Sequence, residues 1–177
     1  LDSVKLLAKE SVHSGAPLIF EEKNVFESMQ LWNTTIVYEQ GFAVPTDDGD
    51  AVITYHDAGH ILGSAIVEIA YKGKKIAFTG DLGNTPSPLM CDTTPLKDID
   101  YLVMESVYGD RNHKDKDRRI EIFKEAVTST IAKGGTVLIP AFSIERTQEM
   151  LLAFNELVEN KQIPEIPVYL NSPLGIN

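Results

Sequence analysis

The chain has 177 residues, 43% hydrophobic and 24% charged, enough for one to one and a half soluble globular domains. Its net charge of −10 argues against a broad basic surface of the kind that grips nucleic acid nonspecifically, while leaving open a nuclease whose phosphate contacts come from metals and a few local cations. The single cysteine, Cys91, excludes an internal disulfide and suits a reducing, cytoplasmic setting, and without a signal peptide or membrane-length apolar run no membrane partner is expected.

Val4, Leu7, Ala8 and Ser11/Val12 fall at helical spacing and predict a helix over residues 3–13, stopped by "HSGAP". Val25, Phe26, Met29 and Trp32 predict a second over 22–32. "GFAVPTDDGD" reads as turn-rich. The period then changes to two: residues 51–56, 65–71 and 74–79 read as strands, with Lys72-Gly73 marking a tight hairpin. "YLVM" (101–104) is wholly apolar and reads as a buried strand. "RNHKDKDRR" (111–119) carries five Lys or Arg against two Asp, and reads as a solvated loop entering a helix or as a phosphate-facing patch. Beyond it helices and strands alternate. Ile120, Phe123, Val127 and Ile131 predict a helix ending at Gly134-Gly135, and 136–140 a strand. Thr147, Leu151, Phe154 and Val158 predict a helix with Ser143 as N-cap, and 167–170 a strand. The expected class is α/β: a mixed region to residue 111, then a βα-alternating, parallel layer over 112–177.

The hairpin carries a geometric argument. A turn about Lys72-Gly73 sets Asp81 opposite Ser64, and His60 lies four residues further on, at most ~13 Å at ~3.3 Å per residue. Gly59 and Gly63 let "AGHILGS" curl back, so His60 and Asp81 can converge at one sheet end. In "FTGDLGN" an apolar strand delivers Asp81 between glycines, which suits a metal ligand, a general base or a turn aspartate. Glu105 follows a buried strand at its carboxyl end, where α/β sheets place function and where a capping carboxylate also fits. Imidazole and carboxylate both suit zinc, yet a structural site needs about four ligands and a catalytic one about three plus water. The other histidines do not fill the gap: His13 reads as a helix C-terminal cation, His56 as a packing or hydrogen-bonding residue and His113 as a surface residue. Cys91 reads as a buried thiol.

"DAGHILGSA", "FTGDLGN", "MESVYGDRNH", "PAFSIERTQEML" and "LNSPLGIN", in this order, resemble the β-CASP branch of the metallo-β-lactamase fold, the branch of the cleavage and polyadenylation nuclease and its archaeal and bacterial relatives. The resemblance covers nearly all of residues 50–177. It implies the later part of a metallo-β-lactamase αββα domain (1–111) followed by the first part of a β-CASP parallel α/β domain (112–177). It also implies a two-zinc hydrolase site in a cleft between domains. His60 matches a histidine on one zinc, Asp81 the aspartate bridging both, and Glu105 the acidic residue that orients a catalytic histidine. Ser143 and Arg146 match a strand-to-helix turn where substrate phosphate could be met. The family's H-x-H-x-D-H signature and its final two histidines do not occur here. The chain therefore reads as an internal fragment, with zinc binding expected to be weak or nil on its own.

The resemblance implies metal-activated hydrolysis of RNA phosphodiester bonds in RNA processing or decay, with RNA as partner. Two other classes stand beside it: a catalytically silent scaffold fragment, and a metallo-β-lactamase-fold hydrolase acting on DNA or small esters. Sheet faces left bare in such a fragment predict homo-oligomers or intertwined packing.

Overall fold

The computed structural model describes residues 2–32, 35–142 and 144–172. The chain divides into two compact units, residues 1–37 and 38–177. In the first, α1 (Asp2–Ser14) is the helix expected from the apolar spacing. It ends where Gly15 turns left-handed (φ 70°) and its N–H donates to Ser11 O at 2.8 Å. The second helix, α2 (Glu22–Met29), is shorter than 22–32. Its N-terminus is closed by reciprocal capping between Glu21 and Asn24.

The second unit holds a five-stranded sheet in the order β1 (Phe42–Thr46), β2 (Gly49–Asp57), β3 (Ala65–Tyr71), β4 (Lys74–Phe78) and β5 (Tyr101–Val103). The first four are antiparallel neighbours, and β5 joins β4 in parallel. The β3–β4 register runs from Tyr71↔Lys74 to Val67↔Phe78, as the hairpin argument requires. Lys72 (φ 47°) and Gly73 (φ 73°) both take the left-handed conformation that a two-residue type I′ turn demands, whose twist matches the strands it joins.

The turn-rich stretch 41–50 also holds strand β1 and the start of β2. Pro45 cannot donate a ladder hydrogen bond, which made the segment look non-strand, but β1 is a sheet edge and an edge tolerates Pro. The buried-strand reading of 101–104 is corrected: Tyr101, Leu102, Val103 and Met104 are each more than half exposed, because β5 is the opposite edge and little covers either face.

Ala58, Ile66 and Ala77 form one small core, covered by Leu82, Leu96 and Ile99. A second core lies between α3 (Arg119–Ile131) and α4 (Arg146–Glu159), where Val127, Leu157 and Ile163 are buried and Phe123 meets Phe154 edge to face at 4.8 Å. Among the described residues no strand forms after β5. The strands expected at 136–140 and 167–170 are irregular chain, with Leu138 92% and Tyr169 89% exposed. A parallel strand needs a hydrogen-bonded neighbour and cover on both faces, and these segments have neither. The mixed α/β class stands; among the described residues no parallel layer follows β5.

Candidate active site at the β2–β3 and β4–β5 loops

The loops carrying His60 and Asp81 meet at their glycines. Gly59 has φ 67°, and a Cβ there would lie 2.8 Å from Cys91 O, so only glycine fits the turn. A Cβ on Gly83 would fall 1.7 Å from Gly59 O and 2.8 Å from His60 N. The main chain at 83 therefore runs directly against the Gly59–His60 peptide. The crossing is fastened by Gly83 N–H donating to Ala58 O at 2.8 Å. Asp81 is two residues from this crossing, within about 8 Å of chain. Both residues are exposed.

The His60 loop is ordered from within. Asp57 Oδ1 accepts from Gly59 N–H at 2.8 Å, and Ser64 Oγ accepts from the N–H groups of His60 and Ile61 at 3.1 and 3.2 Å. Behind it Tyr38 Oη donates to Ser64 O at 2.9 Å. Burial, with Asp57 and Cys91 nearby, pushes the Tyr38 phenol above its ordinary value, so it stays protonated as that donor.

Glu105 joins the same loops. The buried Thr79 donates its N–H to Val103 O at 3.0 Å and takes the Glu105 N–H on Oγ1 at 3.2 Å, which fixes the exit of β5 beside that of β4. The Glu105 side chain turns back, and its Oε1 accepts the Leu82 N–H next to Asp81. Further along, Lys116 Nζ donates to Thr85 O, so the 106–115 loop is tied at both ends to residues 82–85.

Arg146 opens α4 and pairs with Glu149. Ser143 lies outside the described residues. Sequence reasoning missed Glu145. It has φ 67° and ψ −65°, and Arg146 N–H donates to Ile144 O across it at 2.9 Å. These are the marks of a classic γ-turn, a rare and strained conformation for a non-glycine residue. Burial and then the neighbouring Glu149 raise the Glu145 carboxyl above its ordinary value, opposed by Arg146 and then by the His60 imidazole. Nothing in the residue type announces the strain.

The remaining histidines lie elsewhere. His13 Nδ1 sits 3.0 Å from Lys9 O. His56 is held between Glu39 (2.8 Å) and Glu68 (3.3 Å), with Lys75 on the other Glu68 oxygen at 2.9 Å. This is the hydrogen-bonding role expected of it, in a chain of charges crossing β2, β3 and β4. His113 is exposed against Tyr108. Cys91 is exposed, not buried, because its loop lies outside the small core and contributes a carbonyl rather than the thiol.

His60 and Asp81 offer one nitrogen and one carboxylate, the right kinds of donor for zinc. Among the described residues no three His, Cys, Asp or Glu side chains cluster as a metal site. The donor set thus suits zinc in kind and falls short in number. No helix among the described residues is long and apolar enough to cross a membrane.

No family model matches the chain. Individual proteins do. A ribonuclease of Thermus thermophilus is 34% identical over 127 residues, 72% of this chain and 29% of the relative. An RNase J-like protein of Methanocaldococcus jannaschii is 37% identical over 124 residues, 68% of this chain and 29% of its own. A transcription termination factor of Methanothermobacter thermautotrophicus is 33% identical over 178 residues, 97% of this chain and 26% of its own. The chain spans less than a third of the length of these relatives. Aligned with them across most of its length, it belongs to the β-CASP family of metallo-β-lactamase-fold nucleases.

Proposed function

We propose that the chain is an internal stretch of a zinc-dependent ribonuclease that hydrolyses RNA phosphodiester bonds in cytoplasmic RNA processing or decay. In this reading residues 1–111 belong to the metallo-β-lactamase domain and 112–177 to the β-CASP domain. His60 and Asp81 would help hold the zinc in the complete site, with further ligands supplied from outside this sequence. When bound, such metals lower the pKa of a water and neutralise charge on the phosphate.

The chain's own residues do the positioning. The Gly59–Gly83 crossing sets the spacing of the His60 and Asp81 loops. Glu105 holds the Leu82 amide with one oxygen and keeps the other for a histidine it orients. Arg146, at the start of α4, and Ser143 meet substrate phosphate. The observation that carries the reading is the meeting of three loops, at 58–60, 81–83 and 105, at one end of the sheet. RNA as substrate is supported by relatives named as ribonuclease and RNase J-like protein.

The test is cleavage of labelled RNA with added zinc by the 177-residue chain and by the longer protein containing it. The longer protein is expected to cleave and to lose activity in His60→Ala and Asp81→Asn. The chain alone, short of ligands, is expected not to cleave. Activity in the longer protein that ignores both substitutions refutes the site.

A further inference from the structure

Near the site, the 106–116 loop carries an exposed cluster of flat and cationic groups. Successive turns build it. Gly109 N–H donates to Ser106 O at 3.0 Å and Arg111 N–H to Tyr108 O at 3.3 Å. These turns fold the chain back on the Tyr108 ring. The His113 ring lies 4.2 Å from it, tilted 45°, and the Arg111 guanidinium 5.2 Å from its centroid. All three groups are exposed. Residues 110–119 carry five Lys or Arg against three Asp, a local excess of cations in a chain of net charge −10. Asp110 takes part of the Arg111 charge, its carboxylate oxygens lying 3.2 and 3.4 Å from Nη1. Lys114 is exposed beside them.

Packing does not explain the cluster, since Tyr108 is 52% exposed and buries only part of its apolar surface. Its composition matches what single-stranded nucleic acid binds: planar faces on which bases stack, beside cations that meet phosphates. An acidic protein surface would use the cations and leave the flat faces idle. The cluster is also placed to serve the site. It begins three residues after Glu105, which holds the Leu82 amide, and its loop is tied to Thr85 through Lys116.

We propose that Tyr108, Arg111 and His113, with Lys114, form a docking patch for single-stranded RNA beside the Asp81 loop. Bases stack on the exposed Tyr108 and His113 rings, and Arg111 and Lys114 contact the backbone. The patch rests on the ribonuclease reading for its ligand, but binding and cleavage are separable.

The experiment is fluorescence anisotropy of a short, unstructured, labelled RNA titrated with the 177-residue chain at several salt concentrations, with circular dichroism confirming each variant's fold. Tyr108→Ala is expected to weaken binding on the order of tenfold while Tyr108→Phe retains it. Arg111→Ala is expected to lower the salt slope by about 0.7, the value for one single-strand phosphate contact. Arg111→Lys is expected to keep that slope but bind more weakly, since lysine has no planar face. Lys133→Ala, an exposed cation elsewhere, is expected to leave affinity unchanged. Absence of RNA binding, affinity indifferent to Tyr108→Ala and Arg111→Ala, or polyglutamate bound with the same Tyr108 dependence each overturns the patch. Cleavage by the longer protein without patch dependence defeats the patch alone. Patch-dependent binding by a longer protein that never cleaves defeats the ribonuclease reading alone.

Discussion

Gly83 has the most demanding local environment in the site. Its backbone presses on the Gly59–His60 peptide so closely that a methyl group would overlap a carbonyl oxygen 1.7 Å away. Gly83→Ala must therefore separate two main-chain segments, and urea unfolding is expected to register a loss of about 3 kcal/mol. Glu145 is the opposite case, a side chain where glycine would be easier. Glu145→Gly relieves the strained γ-turn, at some cost in backbone entropy, and is expected to raise stability by about 1 kcal/mol in the same assay. The Glu145 carboxyl also titrates above its ordinary value, chiefly from burial, so its charged form is disfavoured in the folded state. Its ionisation costs nothing below the unfolded glutamate pKa and costs stability as pH rises past it. Glu145→Gln is thus expected to gain on the parent chain as pH rises from about 4. At this scale the sequence was partly legible. Glycines flanking His60 and Asp81 signalled tight turns, whereas neither the overlap at Gly83 nor the strain at Glu145 leaves a trace in residue type.

Beyond its parallel ladder with β4, strand β5 is fastened at its start through Asp100. Its carboxylate takes Lys74 Nζ at 2.5 Å and the Lys75 N–H at 2.9 Å, while its own N–H donates to Lys75 O at 3.0 Å. The Lys74 hydrogen bond, then that of the Lys75 amide, holds the carboxyl below its ordinary value. The stabilisation is present above the unfolded aspartate pKa and fades as pH falls through the lowered folded one. Asp100→Asn is expected to unfold more readily than the parent chain near neutrality, with the difference closing below about pH 4 in pH-dependent thermal melts. Glu68 plays the matching part inside the sheet, diagonal to both His56 on β2 and Lys75 on β4. Strands β2, β3 and β4 were legible because period-two patterns and a Lys-Gly turn specify them locally. Strand β1 was hidden by a proline that only its edge position excuses. The segments 136–140 and 167–170 have strand-like composition, but a parallel strand exists only by virtue of partners, which composition cannot supply.

Across the whole molecule the cores are small, and apolar surface is left bare along β5, at Met104 and at Leu138 and Phe142. Bare edges and faces of this kind associate. Sedimentation velocity is expected to give a weight-average mass that rises with concentration, and a single monomer species throughout would count against this. In the proposed site, loops from two hairpin-related strand ends bring His60 and Asp81 to one shared ion. Calorimetric titration of the 177-residue chain with Zn²⁺, repeated for His60→Ala, Asp81→Asn and the double variant, tests it directly. Weak binding is expected, with either single substitution abolishing it and the second adding nothing, the strong coupling of two ligands on one ion. Losses that add independently, or binding that survives both substitutions, would contradict the account.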